Sequence, residues 1–373
     1  MIYRVYKTIE EVGEANWDSM VSKRFFLSYH YLKTLELACQ QINYRYVLVY
    51  DDNNEFVGLF YFQIIPFSGE ALRNYLPTSN SIFKNLYENT LAKVRTDLLV
   101  LGNVIFTCEN GVLIDSKYTS NAESLVLDTI EEVKISLERK PLGTMISENI
   151  KSISTALFCP KKFHTFHVED RMELSLAGMN SFDDYLNKMH SKYRLRVRKV
   201  IESNKETSVI EIDKNNFSQY RTQIESLFLS VLNNSKFKLT TISVDYFYEF
   251  LKNVNRFKMK GILMNNKLVG FVTYFQLDTI IEVHYAGLDY FYNQTYKTYN
   301  FILILMIQQA FQSNLNKVCF GRTAQELKST LGAEPYSTLS SLRINHLFLN
   351  LFTPIFLGRM IPDKWTPRSP FKS

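Results

Sequence analysis

Side chains able to bind an anion are concentrated late in the chain, in the stretch FGRTAQELKSTLGAEP at residues 320–335. The apolar run KVCF and a glycine are followed there by Arg322, Glu326 and Lys328. A helix that starts after the glycine would have Thr323 as its N-cap and would carry Arg322 and Glu326 on one face. We therefore expect Arg322, Thr323 and Lys328 to bind an anionic group at the carboxyl end of a strand, where α/β sheets usually bind ligands. A capped helix with a weak surface ion pair is the alternative interpretation.

A second group of candidate residues lies in the strand-like run IIEVHYAGLD. Strand alternation places Glu282 and His284 on one face and Tyr285 on the other. Two polar side chains on a central strand require solvent or a cleft, and either Glu282 or His284 could act as a general base. The alternative interpretation is that His284 is a hydrogen-bonded structural histidine.

A third group is basic and lies in SKYRLRVRKV, where Arg194 and Arg198 are four residues apart. On a helix these two arginines share a face and could hold a phosphate through bidentate hydrogen bonds. A solvated charged face explains the same pattern, and the sequence leaves both interpretations open.

The elements that would position these residues occur in the same order in both halves of the chain. The first half reads as a helix (FFLSYHYLKTLELACQ), a hairpin around DDNN, the strand LLVLGNVIF, the helix NAESLVLDTIEEVKISLERK and the strand LGTMISEN. The second half repeats this order, with a hairpin around NN, the strand TIIEVHYAGLD, the helix TYNFILILMIQQAFQSN and the strand KVCFG. The repeat predicts two similar α/β domains, joined between residues 159 and 170.

This order resembles that of the acyl-CoA N-acyltransferase (GNAT) domain, and two such domains in tandem resemble the Fem-like aminoacyltransferases and their lipid- and peptidoglycan-associated relatives. Two stretches carry the resemblance, LNKMHSKYRLRVRKVIESNKETSVIEI and the region from VHYAGLD to GRTAQELKSTLGAEP. It implies an α/β (α+β) protein with mixed, mainly antiparallel sheets. The expected boundaries are residues 1–165 and 166–345 for the two GNAT-like domains and 346–373 for an apolar tail.

The loop after the candidate bases Glu282 and His284 departs from the GNAT pattern, which has a glycine-rich turn that binds pyrophosphate at a helix N-terminus. No glycine lies between Asp289 and Phe301, so Lys297 and Tyr299 are the side chains expected to replace the missing backbone site. This substitution favours an activated acyl group other than acetyl-CoA. Acyl carrier protein, a long acyl-CoA and aminoacyl-tRNA all remain open as donors.

Composition limits the remaining classes of function. The net charge of +6 and the pI near 8.9 are compatible with an anionic ligand or lipid surface and give little reason to expect DNA binding. The four cysteines are scattered, without metal-ligand spacing, so we expect no metal, no disulfide framework and a reducing cytoplasmic compartment. No segment has the pattern of a signal peptide or a membrane-spanning helix.

The apolar tail from Leu347 to Ile361 is interrupted by Pro354 and flanked by cationic residues and Trp365. Such a segment suits the inner surface of an anionic membrane, where it would lie in the interface rather than span the bilayer. A terminal helix that docks into the core is the alternative interpretation.

The resemblance implies an enzyme that moves an activated acyl group, from acyl-CoA or acyl carrier protein as co-substrate, to an amine of a lipid, an amino acid or a cell-envelope acceptor. Attack would be direct, with Glu282 or His284 taking the amine proton and Tyr285 or Tyr299 positioning the amine. No permanently bound cofactor is expected. Two alternatives stay open: an aminoacyl-tRNA-dependent transferase, which must bind tRNA, and a non-catalytic module with a degenerate donor site.

Overall fold

Two β-sheets organise the chain, one in each of two structural units. The computed structural model describes residues 1–21, 24–70, 91–106, 111–150, 162–167, 169–234, 240–358 and 365–372. The first unit comprises Met1–Val168, Lys236–Ile242 and Thr338–Pro362, and the second comprises Glu169–Ser235, Ser243–Ser337 and Asp363–Ser373. The chain therefore passes from one unit to the other more than once.

The first unit contains an eight-stranded sheet, and helices both precede and follow its hairpin β2–β3 along the chain. Its strands are β1 (Ile2–Tyr6), β2 (Asn43–Tyr50), β3 (Phe56–Ser68), β4 (Arg95–Leu101), β5 (Val112–Ile114), β6 (Gly143–Ile150), β7 (His164–Phe166) and β15 (Thr338–Ile344). Its described helices are α1 (Ile9–Val12), α2 (Glu14–Val21), α3 (Tyr29–Ala38), α4 (Ala122–Ile135) and α12 (Leu347–Leu357). The strand order is β1-β2-β3-β4-β6-β15-β7, with β5 paired to β3. All these pairs are antiparallel except β4 with β6.

Local chemistry explains the hairpin β2–β3 and the helix that follows β4. In the hairpin turn, the Asp51 carboxylate accepts hydrogen bonds from the backbone N–H groups of Asn53 (2.9 Å) and Glu55 (2.8 Å), and Asn54 adopts a φ of 62°. Helix α4 has a regular apolar stripe that packs against the sheet because its spacing matches one helical face. The buried apolar members of that stripe are Leu125, Val126, Ile130 and Val133.

The second unit contains a seven-stranded sheet and most of the helices. Its strands are β8 (Arg171–Ser175), β9 (Ser208–Ile212), β10 (Phe257–Met264), β11 (Lys267–Gln276), β12 (Ile280–Leu288), β13 (Lys317–Cys319) and β14 (Glu334–Tyr336). Its helices are α5 (Phe182–Lys188), α6 (Ser191–Ser203), α7 (Phe217–Asn233), α8 (Asp245–Asn253), α9 (Tyr290–Tyr296), α10 (Thr298–Gln312) and α11 (Gln325–Ser329). The order is β14-β8-β13-β12-β11-β10-β9. Only the pair β12–β13 is parallel among the described strands of this sheet.

The core of the second unit is built around α10, which is apolar on most of its circumference and therefore buried. Its buried apolar residues are Phe301, Ile302, Leu303, Ile304, Met306, Ile307 and Ala310. The hairpin β10–β11 turns at Asn265 and Asn266, with φ values of 51° and 61°. Asparagine tolerates this left-handed conformation, which two-residue hairpin turns require. Both hairpins expected from the sequence are thus present.

The predicted fold class is confirmed: the protein is mixed α/β, and each unit has one mainly antiparallel sheet with a single described parallel pair. The predicted order of helix, hairpin, strand, helix and strand occurs in both units. Within the described ranges, no helix combines the length and the apolar character that crossing a membrane requires.

The structure groups the end of the chain differently from the predicted boundaries of 1–165, 166–345 and 346–373. Strand β15 pairs with β6 and β7 of the first unit, although it follows the whole of the second sheet in sequence. Residues 365–372 then pack on the second unit, where Phe371 forms a β-bridge with Met189. Because strand pairing joins residues distant in sequence, the order of elements alone did not reveal that the chain returns to the first unit and then to the second.

Candidate active site

The opening in the second sheet lies where β12 separates from β13. The two strands pair in parallel at only three positions, of which Glu282 opposite Cys319 is the last. Strand β12 continues to Leu288, while β13 ends at Cys319 and the chain turns away at Gly321. A parallel pair that separates leaves backbone N–H and C=O groups available to a ligand at the carboxyl end of the strands.

A β-bulge lies in β12 next to this opening. His284 and Tyr285 of β12 together lie opposite the single residue Thr273 of β11. The Tyr285 N–H donates to Thr273 Oγ1 (3.0 Å), and the Thr273 hydroxyl donates to the Tyr285 carbonyl (3.2 Å). A bulge breaks strand alternation, and the rings of His284 and Tyr285 both contact Tyr246 of α8. The predicted separation of His284 and Tyr285 onto opposite faces is therefore wrong.

Glu282 belongs to a buried network of charges. The Arg171 guanidinium contacts the Glu282 carboxylate at 2.5 Å and the Glu173 carboxylate at 2.9 Å, and Lys317 contacts Glu173 at 2.9 Å. Burial raises the pKa of Glu282, while Arg171 and the Cys319 thiol, which donates a hydrogen bond to the carboxylate, oppose that rise. The carboxylate expected to be a candidate base is thus already occupied by a buried arginine.

His284 lies in an aromatic environment and remains neutral. Its Nε2 atom is 2.8 Å from the Tyr246 hydroxyl, and the rings of Phe275 and Tyr285 are its neighbours. Burial lowers the pKa of His284 to about 3, because the charged imidazolium would lose its hydration. At neutral pH the imidazole is therefore unprotonated, as a proton acceptor must be.

The turn after β13 has an unusual backbone. Gly321, Thr323 and Ala324 have φ values of 65°, 63° and 48°. Side chains disfavour this left-handed region, most of all a β-branched one such as that of Thr323, at about 1–3 kcal/mol for each residue. Non-glycine residues held in this conformation cluster at functional sites, so the turn of residues 321–324 is the strongest local indication of one.

Buried polar groups hold this turn in place. The Lys328 ammonium donates to the carbonyl of Gly321 (3.3 Å) and to that of Arg322, and the Glu169 carboxylate accepts from the Thr323 N–H (3.0 Å). Burial lowers the pKa of Lys328 to about 7. Lys328 therefore contacts the backbone from inside, whereas the sequence predicted that it binds an anion directly.

Helix α11 differs from the predicted helix in its start and its pairing. It begins at Gln325, so Thr323 lies in the turn and is not the N-cap. Arg322 also lies in the turn, outside the helix, and Glu326 pairs with Arg368, whose Nε is 3.1 Å from the carboxylate. The expected pair of Arg322 and Glu326 on one helical face is wrong, because the left-handed turn delays the helix.

Tyr299 connects the start of α10 with the turn of residues 321–324. Its side chain is hydrogen-bonded to Thr323, and burial raises the pKa of its phenol to about 12. Its backbone N–H is bound by the Asn293 side chain of α9 at 2.9 Å. Lys297 is exposed and donates from Nζ to the Gln294 carbonyl at 2.9 Å. Side chains of α9 thus occupy the region where a GNAT loop would expose backbone N–H groups.

The basic helix α6 is largely exposed and buries only Val197. Arg198 is exposed, Arg194 is partly buried, and neither forms an ion pair among the described residues. The Arg196 guanidinium lies over the Tyr193 ring, 5.7 Å from its centre. Arg194 also donates from its guanidinium to the Met189 carbonyl (3.5 Å), so Arg198 is the more exposed and less constrained of the two arginines.

Three contributors were missed in the sequence: Arg171, Glu169 and Tyr246. Arg171 and Glu173 alternate with apolar residues in RMELS, and two charges on one face of a strand were a usable signal of a buried pair. Glu169 and Tyr246 carried no such signal, since each acts through a partner more than 30 residues away.

Comparison with solved structures identifies the class of fold that this geometry belongs to. FemX aligns with a TM-score of 0.54 and 11% identity, covering 95% of this chain and 100% of that chain. The C-terminal domain of a putative lysylphosphatidylglycerol synthetase from Agrobacterium fabrum aligns with a TM-score of 0.52 and 7% identity, covering 92% and 95%. A tandem GNAT protein from the clavulanic acid biosynthesis pathway aligns with a TM-score of 0.52 and 9% identity, covering 91% and 98%.

The protein therefore has the fold of tandem GNAT proteins, and its resemblance to Fem-like proteins is confirmed at the level of fold. No protein-family model and no curated protein sequence matches the chain.

Proposed function

We propose that the protein is an N-acyltransferase, which moves an activated acyl group to an amine by direct attack at the opening between β12 and β13. One observation carries the proposal: β12 leaves β13 directly after Glu282, and the strained turn that carries Arg322 lies at the end of β13. This arrangement offers backbone groups to an extended donor and a guanidinium to its anionic part.

The leaving group would receive its proton from Tyr299. Because burial raises the pKa of this phenol to about 12, it is protonated at neutral pH. When the bond from the acyl carbon to the donor's sulfur or oxygen breaks, the phenol can donate a proton to the departing atom. General acid catalysis of this kind contributes about 10²–10⁴-fold to a rate.

The amine proton would be taken by His284. Its imidazole is unprotonated at neutral pH, whereas the Glu282 carboxylate is held by Arg171. Because a pKa of about 3 makes the imidazole a weak base, this role requires the positive charge that develops on the attacking amine to drive the proton transfer. The amine nitrogen bonds to the acyl carbon while its proton passes to His284, and Tyr285 lies beside the same position. We therefore assign His284 the role of base and Glu282 the role of positioning β12 through Arg171.

Direct attack also agrees with the state of the described cysteines. Cys39 and Cys319 are buried, and burial raises the pKa of both thiols, that of Cys39 to about 12. A protonated, buried thiol is a poor nucleophile. Cys108 and Cys159 lie outside the described residues.

Acyl-CoA or acyl carrier protein is the donor we propose, with an amine of a lipid, an amino acid or a cell-envelope component as acceptor. The acceptor class follows the Fem-like resemblance, and a neighbour by fold is described as a lysylphosphatidylglycerol synthetase domain.

The test is mass spectrometry of lipids and small amines from a bacterial host that expresses the chain. We expect a new N-acylated species, which falls by about 100-fold with Arg322→Ala because the contact with the anionic part of the donor is lost. Arg322→Lys should retain part of the product, and Arg139→Ala, at an exposed position of the first unit, should retain all of it. A new species that Arg322→Ala leaves unaffected would contradict the proposal. So would the absence of any N-acylated product when the purified protein is incubated with acyl donors and amines.

An aminoacyl-tRNA-dependent transferase is the second candidate, and the exposed basic face of α6 is the observation that favours it. The side-chain capping of α10 by Asn293 also disfavours binding of a CoA pyrophosphate in the usual GNAT manner. This candidate requires activity that ribonuclease abolishes and tRNA binding that weakens steeply with salt. The double variant Arg194→Ala/Arg198→Ala should then reduce the salt dependence, whereas an acyl-CoA enzyme would be unaffected by ribonuclease.

A further inference from the structure

Helix α12 in the first unit turns most of its described large apolar side chains toward solvent. Five large apolar residues of this 11-residue helix are exposed. They are Leu347 (71%), Phe348 (70%), Leu349 (49%), Leu351 (68%) and Ile355 (61%). Single exposed apolar residues are common on protein surfaces. Five on one short helix form a patch of the kind that marks a site of contact with another protein or with a membrane.

The opposite face of α12, which carries Asn350, Thr353 and the buried Leu357, is fixed to the first unit. Asn350 accepts a hydrogen bond from the Ile344 N–H (2.8 Å) and donates to the Lys162 carbonyl (3.0 Å). Thr353, three residues further along, is 4% exposed. An ordinary surface helix buries its apolar face and exposes its polar face. In α12 the hydrogen bonds of Asn350 fix the inner face, and the five exposed apolar residues are presented to solvent.

A basic groove adjoins the start of α12. It has a volume of about 480 Å³ and includes Lys134, Lys140, Arg343 and His346 in its lining, with Glu131 as its single carboxylate. The Glu131 carboxylate forms ion pairs with two of these side chains, at 3.0 Å from the Lys134 ammonium and 3.8 Å from the Arg343 guanidinium. Three basic side chains thus share the groove with one carboxylate, which gives the groove an excess of positive charge.

The combination of an apolar helix face with a cationic groove matches an anionic bilayer surface in both respects. An 11-residue helix is about 16 Å long, roughly half the thickness of a hydrocarbon core, so it can lie in the interface but cannot cross. Cationic side chains at the edge of such a helix attract anionic headgroups. A second copy of the chain suits the surface less well, because contact through α12 would bring two grooves of the same charge toward each other.

We propose that α12 and the adjoining basic groove dock the first unit onto a bilayer that contains anionic phospholipid. The apolar side chains enter the boundary between headgroups and acyl chains, and the groove binds phosphate groups beside them. Trp365, which the sequence suggested as an interfacial anchor, packs instead against the core of the second unit, and Arg359 and Lys364 lie outside the described residues. This inference does not depend on the proposed enzymatic activity.

Co-sedimentation of the full chain with vesicles tests the proposal. We expect binding to vesicles of phosphatidylcholine with one quarter phosphatidylglycerol, and at least tenfold weaker binding to phosphatidylcholine alone. The double variant Phe348→Ser/Leu351→Ser should reduce binding about tenfold or more, because two apolar side chains no longer enter the interface. Lys140→Glu should reduce binding to the anionic vesicles roughly tenfold and leave binding to neutral vesicles unchanged.

Matched controls separate docking from general loss of apolar or basic surface. Leu37→Ser/Leu229→Ser removes two exposed apolar side chains (49% and 47%) from other helices and should not change binding. Lys214→Glu, at an exposed position before α7, controls for charge reversal. The proposal is overturned if the wild-type chain stays in the supernatant with anionic vesicles. It is also overturned if each control variant weakens binding as much as the α12 or groove variant that it is matched to. A concentration-dependent dimer that Phe348→Ser/Leu351→Ser dissociates, without vesicle binding, would also overturn it and would assign the face to self-association.

Discussion

The two parallel strand pairs of the molecule, β4–β6 in the first unit and β12–β13 in the second, differ in chemistry and in how tightly their ends close. The first pair is apolar: Leu98, Leu99, Val100 and Leu101 are all buried. The second pair carries Glu282 opposite Cys319, and Glu282 is bound to Arg171. The same local topology thus supports a hydrophobic core in one unit and a buried charge network in the other.

The carboxyl ends of the two parallel pairs also differ, in how closely the paired strands pack. A Cβ atom on Gly102, directly after β4, would lie 2.0 Å from the Ser147 hydroxyl of β6. A Cβ atom on Gly321, two residues beyond β13, would meet nothing nearer than the Val283 carbonyl at 3.9 Å. The first pair is closed by contact at its end, whereas the second is open. This contrast favours the second unit as the place of the candidate active site.

The largest expected effect comes from removing one member of the buried charge network. Arg171→Met should destabilise the protein by about 3–5 kcal/mol, because it leaves Glu282 buried without its counter-ion. Urea unfolding measures this change. The double variant Arg171→Met/Glu282→Met should recover most of the loss, and Leu99→Met in the apolar pair should cost less than about 1.5 kcal/mol. Equal losses for Arg171→Met and Leu99→Met would remove the distinction between the two pairs.

The next effect concerns the closed and open ends. Gly102→Ala should destabilise by about 2–4 kcal/mol, because it adds a clash to a φ of 109°. Gly321→Ala should cost only about 1–2 kcal/mol, since its φ of 65° is unfavourable but the space is empty. Thermal unfolding of both variants tests the ordering. If Gly321→Ala proves the more damaging, the turn is packed more tightly than its geometry indicates.

The pH dependence of stability should reveal Lys328. Its pKa of about 7 in the folded state lies below the unfolded value of 10.5, so the unfolded state binds more protons between these values. Stability contributed by this site therefore rises with pH from about 7 to about 10, by about 2–3 kcal/mol over two pH units. In Lys328→Met this rise should be absent when urea unfolding is compared at pH 7 and 9. The exposed Lys258→Met should retain it.

His284 should give a dependence of the same sign as Lys328, but on the acid side. Its folded pKa of about 3 lies below the unfolded value of 6.5, so the unfolded state gains a proton first as the pH falls. Its contribution to stability should decrease by about 2 kcal/mol between pH 6.5 and 5. The His284→Gln variant should lose correspondingly less stability over that interval, with the exposed His346→Gln as control. An identical acid limb for wild type and His284→Gln would show that the imidazole is accessible to water.

Residues of the candidate site were predictable from the sequence to different degrees. Glu282, His284 and Arg322 were found because charged or titratable side chains on a central strand, or directly after one, are rare without a role. The faces of His284 and Tyr285 were mispredicted because a bulge adds a residue to the strand. The position of Lys328 was mispredicted because the left-handed residues Thr323 and Ala324 delay the start of α11 to Gln325.

By itself the sequence determined the order of elements, both hairpin turns and the mixed α/β class, since each depends on interactions among residues close along the chain. It also determined that apolar residues crowd the segment from Leu347 to Leu357. Only the tertiary structure decided that β15 joins the first sheet, that Arg171 neutralises Glu282, and that α12 turns its apolar face outward. These outcomes depend on pairing and burial between residues distant in sequence, and no local pattern encodes the partner of a strand, a charge or a helix face.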